Sequence, residues 1–391
     1  MSVIGIVCEF NPFHNGHKHL IDSVKQQGDI VVCVMSGNFV QRAEPAIFPK
    51  EVRVKAALLN GADTVLELPF VYATASAEIF AHNAVKILDS FGCDKLAFGT
   101  ENATINQLNE IADVLNYNNF DEKMKEFLQK GESYPSARQS ALNSYGKTFD
   151  IDSPNNILAV EYIKAIRKLN SKLIPICVNR IGAGYNDDFA INDFSSATHI
   201  RSLIKENKSF NHFVPENCFK LYSEAIDNGK VLSAEKYNLA SLAMLRSNIY
   251  NDSDNVANMA EGLENRVDDA VRMCNSLNEI YDYAKTKRYT HSRIRRAVFS
   301  RQFNIKYGDL KIEVPYCRLL GFNKSIENQF GTLVNNCKLP FITRYSDVLK
   351  LNDNKINLIF NYEDKSTDFY NLISENPDVC GIERRVSPVK I

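Results

Sequence analysis

The sequence of 391 residues contains no tryptophan, and its nine cysteines include no Cys-x-x-Cys pair. Because their spacing matches neither a zinc site nor a disulfide framework, we expect free thiols in a reducing cytoplasm. An excess of charge of one sign is also missing, since the formal net charge is −1. Any affinity for a polyanion must therefore come from a local patch of charge and not from the overall field.

Long hydrophobic runs are absent as well. No uncharged apolar stretch reaches the length of a membrane-spanning helix, and the N-terminus lacks a basic segment followed by an apolar one. We therefore expect a cytoplasmic protein with no membrane contact and no obligate protein partner. The length and the 45% of hydrophobic residues suffice for two or three domains with substantial cores.

Short apolar runs alternate with helical patterns over residues 1–205. This alternation predicts an α/β fold with a Rossmann-like, doubly wound parallel sheet, whose ligands lie beyond the carboxyl ends of the strands. The predicted strands are Val3–Cys8, Ile30–Met35, Thr64–Leu68, Lys95–Phe98 and Leu173–Val178. The predicted helices are Gly16–Gln27, Lys50–Asn60, Ser76–Phe91, Ile105–Leu115 and Asn156–Leu169.

The pattern changes twice further along the chain. Long helical patterns, including Ala234–Tyr250 and Asn255–Tyr283, predict a mainly helical domain over residues 206–303. Beyond it, residues 304–391 show short strand-like pieces among polar turns, which predict a small C-terminal α/β domain. These pieces are Ile312–Leu320, Pro340–Thr343 and Ile356–Phe360.

The most informative motif follows the first predicted strand. The strand stops at Asn11-Pro12 and leads into His14-Asn15-Gly16-His17 at the start of a helix. A helix N-terminus offers unpaired backbone N–H groups and the positive end of the helix dipole, and Gly16 lets a ligand come close. His14 and His17 can hydrogen-bond phosphate oxygens while negative charge develops on them. The motif favours an ATP-phosphate site over a plain surface loop or half a metal site, and we predict no metal bound by protein ligands.

A second segment of this kind is Ser195-Ser196-Ala197-Thr198-His199-Ile200-Arg201, at the start of a later helix. Its hydroxyl groups can cap the helix, and Arg201 can reach a β- or γ-phosphate. Alone, the segment reads as a capped helix with a solvated arginine. Beside the histidine motif it predicts phosphate contacts from Ser196, Thr198 and Arg201.

Several turns after predicted strands allow two interpretations each. Phe98–Glu101 and Cys177–Gly182 can bind adenine or ribose through backbone groups, or can simply end their strands. Gln41 and Arg42 can bind a small carboxylate or an RNA group, or can belong to a flexible loop. Ser153–Asn156 precedes a helix, where an asparagine is more often a cap than a ligand contact.

The strongest local charge spans residues 285–301, where seven basic residues occur without an acidic one. They are Lys285, Lys287, Arg288, Arg293, Arg295, Arg296 and Arg301. Such a patch can contact RNA phosphates, and Tyr289 within it can stack on an unpaired base. The alternative is a solvated helix face that pairs with acidic residues elsewhere, such as Glu261, Glu264, Asp268 and Asp269.

Together these motifs resemble the HIGH superfamily of nucleotidyltransferases and class I synthetases, with His14–His17 as the first signature and Ser195–Arg201 as the second. The second signature lacks the lysine found in many synthetases, and Arg201 is the natural substitute. A closer resemblance is to the tRNA(Met) cytidine acetate ligase family. It is carried by Glu9–His17, Ser36–Arg42, Glu67–Phe70, Phe98–Glu101, Ser153–Asn156, Asn179–Ile181, Lys287–Thr290 and Leu320–Asn323.

This resemblance implies an enzyme that activates acetate with ATP to acetyl-adenylate, releases pyrophosphate and acetylates N4 of the wobble cytidine of elongator tRNA(Met). ATP would bind as its Mg²⁺ complex. By matching motif, the implied ATP contacts are Val7, Cys8, Glu9, Phe10, Asn11, Pro12, Phe13, His14, Asn15, Gly16, His17, Lys18, His19, Leu20, Gly99, Asn155, Arg180 and Ile181.

The predicted roles follow from these motifs. His14, His17 and Arg201 are the expected catalytic residues, in an ATP-binding domain over residues 1–205. The helical domain would bind RNA through Lys287, Arg288, Tyr289, Arg293, Arg295 and Arg296. The alternative function is a small-molecule nucleotidyltransferase that adenylylates a phosphorylated cofactor precursor, for which the helical domain and the basic patch would be superfluous. A non-catalytic RNA-binding protein would leave both phosphate signatures without a use.

Overall fold

The computed structural model describes residues 1–101, 103–117, 119–132, 134–146, 153–179, 193–251, 255–286 and 289–391. Its first part alternates strands and helices. In chain order these are β1 (Val3–Cys8), α1 (Asn15–Val24), β2 (Ile30–Ser36), β3 (Phe39–Val40), β4 (Glu44–Pro45), α2 (Lys50–Leu59), β5 (Thr64–Leu68), α3 (Phe70–Ala73), α4 (Ala77–Phe91), β6 (Lys95–Thr100), α5 (Ile105–Leu115), α6 (Phe120–Gln129), α7 (Tyr134–Ser144), α8 (Pro154–Lys168), β7 (Ile174–Asn179) and α9 (Ala197–Lys205).

The second part is helical, and the third part mixes helices with short strands. The second contains α10 (Glu216–Asp227), α11 (Ala234–Asn248), α12 (Leu263–Met273), α13 (Leu277–Ala284) and α14 (His291–Phe303). The third contains β8 (Cys317–Phe322), α15 (Glu327–Asn335), β9 (Phe341–Ile342), α16 (Tyr345–Leu351), α17 (Asn354–Leu372) and β10 (Val389–Lys390). No helix within the described ranges is long and apolar enough to cross a membrane.

The main sheet has the strand order β10-β8-β5-β2-β1-β6-β7, with β9 paired to β8. Strand β1 lies between β2 and β6 and runs parallel to both. The chain adds β2 and β5 on one side of β1 and then β6 and β7 on the other, so the strand order reverses at β1. The doubly wound parallel sheet is thus confirmed, and a ligand crevice is expected beyond the carboxyl end of β1.

Both faces of the sheet are covered. Ile4 and Ile6 pack in a core on one face together with residues of α1, α2, α9 and α10. Val3, Val32 and Val34 pack in the core on the other face, with residues of α4, α5 and α8. Side chains of a strand alternate between the faces, and a strand buried on both faces reads as a continuous apolar run.

The strands of residues 304–391 join this sheet and do not form a separate one. Strand β8 pairs antiparallel with β5, with Thr64 opposite Phe322, and β10 pairs parallel with β8. Helix α17 packs on α3, and its residues Ile359 and Phe369 lie in the same core as Val32. The third segment therefore completes the first one structurally, while the predicted boundaries at residues 205 and 303 stay predictions.

A buried cluster of charges fastens this third segment to the sheet. Lys50 Nζ lies 2.6 Å from Glu67, 3.0 Å from Glu363 and 2.5 Å from Glu383. Arg318 lies 2.8 Å from Glu67 and also pairs with Glu383. Burial, together with the neighbouring carboxylate of Glu67, raises the pKa of Glu363 to about 8. With Glu363 protonated at neutral pH, two cations balance two carboxylates.

The predicted strand Ile356–Phe360 is wrong, because this run lies inside α17. Asp353 caps the helix by accepting hydrogen bonds from the backbone N–H groups of Lys355 and Ile356 at 2.7 and 3.0 Å. Burial then recurs at Ile356, Ile359, Phe360 and Glu363, which is the period of a helix. The short apolar run was ambiguous because it covers little more than one helical turn.

Other predicted bounds also change. The predicted helical pattern Asn255–Tyr283 contains two helices, α12 and α13. A second helix begins because Ser276 caps α13, its hydroxyl accepting a hydrogen bond from the Glu279 N–H. The run Ile312–Leu320 becomes a strand only from Cys317, after Pro315, which has no N–H for a sheet. Helices α6 and α7 have no counterpart among the predicted elements.

Helix α14 links the helical part to the main core. Its residues Ile294 and Val298 pack in the core formed by α11, α12 and α13. Phe303, at its end, packs against Phe70 of the main core with ring centroids 4.9 Å apart. Anchored in both cores, α14 holds its first turns at the crevice beyond β1.

Candidate active site

The segment between β1 and α1 carries the two predicted histidines. His14 is the N-cap of α1, and its Nδ1 accepts a hydrogen bond from the Gly16 N–H at 3.0 Å. The Nδ1 of His17 accepts one from the His14 N–H at 3.3 Å. In the neutral form, an imidazole that accepts at Nδ1 carries its proton on Nε2, so each ring can offer a donor to a ligand at Nε2. The ring centroids are 3.8 Å apart at the helix N-terminus, an arrangement that suits an anion with several oxygens.

Gly16 is required for this geometry. A Cβ atom at this position would lie 2.9 Å from Cε1 of His14. Any other residue would therefore push the His14 ring out of its capping position. The glycine thus serves the histidine directly, in addition to opening the helix start to a ligand.

Arg53 of α2 holds the beginning of this segment. Its fully buried guanidinium donates from Nη1 to the carbonyl oxygens of Glu9 at 2.6 Å and Ser36 at 3.2 Å. Nε donates to the Phe48 carbonyl at 3.0 Å. Since Glu9 follows β1 and Ser36 ends β2, one side chain fixes both strand ends at the crevice.

Tyr222 of α10 holds the middle of the segment. Its buried hydroxyl accepts a hydrogen bond from the Phe13 N–H at 3.0 Å. Phe10 has a positive φ of 47°, an uncommon conformation for a residue with a side chain, and it is fully buried. Sequence analysis missed both Arg53 and Tyr222, because neither belongs to a motif and each acts on a distant residue.

Helix α9 brings the second predicted signature to the first. The Ser196 hydroxyl caps α9 by accepting a hydrogen bond from the His199 N–H at 3.1 Å. Arg201 donates from Nη1 to the Asn11 carbonyl at 2.8 Å and from Nη2 to the Thr198 hydroxyl at 3.1 Å. Arg201 and Asn11 are 190 residues apart in the sequence, so this contact brings the two signatures together, as expected.

A cavity of about 800 Å³ opens where these segments meet. It lies beyond the carboxyl ends of β1, β6 and β7, and its volume is within the usual range of small-molecule sites, roughly 300–1,000 Å³. Ser195 lines this cavity, and its buried hydroxyl has no hydrogen-bond partner among the described residues. The predicted residues that line the cavity are Val7, Cys8, Glu9, Phe10, Asn11, His14, Gly16, His17, His19, Leu20, Gly99, Asn155, Ser196, Thr198 and Arg201.

The other predicted ATP contacts either do not line the cavity or fall outside the described residues. Among the described residues, the four that lie outside its lining are Pro12, Phe13, Asn15 and Lys18. The amide of Asn15 donates to the Asp193 carbonyl at 2.8 Å, so it secures the chain before α9. Lys18 forms an ion pair with Asp22 on the exposed side of α1. Arg180 and Ile181 fall outside the described residues.

Glu9, the residue directly after β1, contributes a carboxyl side chain to the lining. Glu9 projects part of its surface into the cavity, and its Oε1 accepts a hydrogen bond from the Gln41 N–H at 2.8 Å. Burial raises the pKa of Glu9, although the Gln41 N–H opposes this shift. Gln41 and Arg42 line the cavity too, which favours their interpretation as ligand-binding residues over that of a flexible loop.

The predicted RNA-binding patch divides into two groups. Arg295 and Arg296, in the first turns of α14, line the cavity. Arg295 Nη1 lies 3.3 Å from Glu44, whereas Nε of Arg296 is buried without a hydrogen-bond partner among the described residues. The basic helix start and the phosphate signatures therefore share one cavity, a relation that the sequence did not reveal.

The residues of the second group do not line the cavity. Arg293 pairs with Glu261 at 3.1 Å, and the buried Arg301 pairs with Asp268 at 3.0 Å. Tyr289 is only 4% exposed, packs in the helical core and donates its hydroxyl hydrogen to the Glu261 carbonyl. The prediction that Tyr289 stacks on an unpaired base is therefore wrong for this structure. Lys287 and Arg288 fall outside the described residues.

The family model of the HIGH nucleotidyl transferases matches residues 1–383 of this chain. The match covers both phosphate signatures and the helical part. The chain is therefore a member of the HIGH nucleotidyltransferase family, the class that the sheet and the histidine-capped helix define.

Curated relatives narrow the class. A tRNA(Met) cytidine acetate ligase from Thermosipho africanus is 38% identical over 378 residues, covering 91% of this chain and 89% of that protein. The protein of the same name from Caldicellulosiruptor bescii is 39% identical over 355 residues, covering 88% of this chain and 87% of that protein. Within its class, the chain belongs to the tRNA(Met) cytidine acetate ligase family.

Solved structures agree with this assignment. The crystal structure of Thermotoga maritima TmcAL in its apo form I is similar with a TM-score of 0.91 and 31% identity, covering 100% of both chains. The crystal structure of the same protein bound with alpha-thio ATP gives a TM-score of 0.89 and 32% identity, covering 100% of this chain and 99% of that chain. The helical and C-terminal parts are thus included in the likeness.

Proposed function

We propose that this chain is an ATP-dependent ligase that acetylates the wobble cytidine of elongator tRNA(Met). Acetate and ATP would first form acetyl-adenylate and pyrophosphate, and N4 of the cytidine would then take the acetyl group and release AMP. The observation that carries the proposal is the shared cavity, in which both phosphate signatures meet the basic start of α14. The names of the relatives and the ATP analogue bound by the Thermotoga maritima protein support it.

In the first step, the cavity would act mainly by alignment and by neutralising charge. The Nε2–H groups of His14 and His17, the N-terminus of α1 and the guanidinium of Arg201 supply donors for phosphate oxygens. Acetate needs no base, because a carboxylate of ordinary pKa is ionised at neutral pH. Holding it in line with the α-phosphorus is then the main requirement. Mg²⁺ would accompany ATP as the counterion of its phosphates.

The second substrate distinguishes this function from a small-molecule nucleotidyltransferase. Arg295 and Arg296 give the cavity a cationic wall at α14, which can contact the phosphates of an RNA strand that inserts a base. The carboxylate of Glu9, which lines the same cavity, would accept hydrogen bonds from an amine. The cavity therefore favours a nucleobase amine as acceptor, in the cytoplasm, where tRNA is the available substrate.

The test is mass spectrometry of tRNA incubated with the protein, ATP, Mg²⁺ and isotopically labelled acetate. We expect the label in N4-acetylcytidine at the wobble position of elongator tRNA(Met), and its loss when ATP is omitted. Acetate-dependent exchange of pyrophosphate into ATP, measured without tRNA, tests the first step separately. Absence of both the label and the exchange would overturn the proposal, and adenylylation of a phosphorylated small molecule would establish the alternative.

A further inference from the structure

We propose that Glu9 is a catalytic residue of acetyl transfer, which accepts the proton that N4 of the cytosine loses. This inference rests on the proposed function and extends it to a named atom for the second step. It assigns to Glu9 a role toward the acceptor base that differs from the ATP contact implied by its motif.

The position of Glu9 supports the assignment. It follows β1 directly, so it stands at the reversal point of the sheet and five residues before the histidine that caps α1. The Gln41 N–H holds Oε1 at 2.8 Å, and Arg53 fixes the Glu9 backbone at 2.6 Å. The carboxylate is therefore held in one orientation at the wall of the cavity that His14, His17 and Arg201 also line.

The surroundings of Glu9 suit a proton acceptor. Burial raises its pKa, which makes the carboxylate a stronger base than an exposed one. The charged and titratable groups that influence it come from β1, β4, α2, α8 and α9. They are Cys8, Glu44, Arg53, Tyr162 and Arg201. Glu44 adds to the rise in the pKa of Glu9, whereas Arg201 and Arg53 oppose it.

The chemistry requires such a group. The N4 lone pair attacks the carbonyl carbon of acetyl-adenylate, a C–N bond forms, and the C–O bond to the phosphate of AMP breaks. AMP leaves with the electron pair of that bond, and N4, which gained a bond, must release one proton. Glu9 takes this proton and passes it to water, so no further reactant is needed.

The same carboxylate would orient the base. A glutamate oxygen accepts a hydrogen bond from the exocyclic amine of cytosine, whereas uracil presents an acceptor oxygen at the equivalent place. Glu9 would therefore hold the N4 amine before the transfer and reject uridine by repulsion. The carboxylate thus joins selection of the base and removal of its proton in one side chain.

The experiment compares Glu9→Gln with Glu9→Asp and with Glu327→Gln, a substitution at an exposed carboxylate of α15 outside the cavity. Glutamine can still accept the hydrogen bond from Gln41 but cannot take up the proton. We expect single-turnover transfer from acetyl-adenylate to tRNA to slow by about 10²-fold or more in Glu9→Gln. Acetate-dependent pyrophosphate exchange should change far less, Glu9→Asp should retain more transfer, and Glu327→Gln should behave like the wild type.

The pH profile separates a catalytic from a structural role. In the wild type, transfer should rise with pH as Glu9 loses its proton, and this rise should disappear in Glu9→Gln. Unchanged transfer in Glu9→Gln, or an equal loss of transfer and exchange, would overturn the role of Glu9 while leaving the proposed function intact. If the wild type shows neither exchange nor transfer, the proposed function itself fails.

Discussion

Replacing His17 by asparagine separates its two functions in the structure. Its Nδ1 caps the helix start by accepting the His14 N–H, and the ring lines the cavity, where Nε2 would donate to a phosphate oxygen. The amide oxygen of asparagine can still accept the His14 N–H, but the side chain is too short to place a donor where Nε2 lies. His17→Asn should therefore keep the cap and lose the phosphate contact, whereas His17→Ala loses both.

The structure sets the expected magnitudes. Removing one donor that stabilises transition-state charge costs about 10²–10³ in kcat, or about 2.7–4 kcal/mol. Losing a helix cap costs about 0.5–2 kcal/mol of stability. Both variants lose the contact of the His17 ring with Phe10, whose centroid lies 4.9 Å away. His17→Asn should thus be as inactive as His17→Ala. Its free energy of unfolding should be higher than that of His17→Ala by the contribution of the cap, about 0.5–2 kcal/mol.

Acetate-dependent pyrophosphate exchange measures the activity, and urea unfolding followed by circular dichroism measures the stability. The control is His212→Asn, at an exposed histidine that does not line the cavity. It should keep wild-type exchange. If His17→Asn retains exchange close to the wild-type rate while folded, the assignment of Nε2 as a phosphate donor is refuted.

Three further predictions concern the buried cluster and the basic wall. Lys50→Met leaves a buried carboxylate without a balancing cation and should lower the free energy of unfolding by about 3–5 kcal/mol in urea titrations. Lys55→Met, on the exposed face of α2, should change the free energy of unfolding little. Equal stabilities of these two variants would contradict the prediction. Because burial raises the pKa of Glu363 from 4.5 to about 8, the folded chain holds a proton that the unfolded chain has released, so the free energy of unfolding should fall as pH rises through this window. A free energy of unfolding that rises with pH over this window would contradict the prediction. Arg296→Glu should weaken tRNA binding and should reduce the slope of log Kd against log salt concentration by about one. The control Arg272→Glu, at an exposed residue of α12, should change neither quantity. Equal tRNA affinities of the two variants would show that Arg296 does not contact the RNA.

The strands could be predicted because the buried residues of a strand follow one another in the sequence. Val3–Cys8 has the observed bounds, since both faces of the strand are buried and the run is continuously apolar. Thr64–Leu68 also has the observed bounds, although its apolar residues are interrupted by the buried Glu67. Ile356–Phe360 failed on the same criterion. Its apolar residues belong to a helix whose other buried positions, such as Glu363, are polar and satisfied only by residues of distant elements.

The basic patch shows the corresponding limit at the site. Seven basic residues within residues 285–301 indicate positive charge, but not which of them remains available to a ligand. Arg293 and Arg301 are neutralised by Glu261 and Asp268, which lie about thirty residues earlier in the chain. Arg296 instead reaches the cavity, because α14 is anchored in two cores at once.

The sequence by itself determined the alternation of strands and helices and the placement of the two histidines at the start of α1. These features depend on hydrogen bonds within one turn of helix and on short apolar runs, so the local order of residues specifies them. Only the tertiary structure decided that Arg53 and Tyr222 hold the histidine segment, and that Glu9 and α14 face the same cavity. The Tyr222 contact joins residues 209 positions apart, and such contacts arise only when the sheet and the helices pack together.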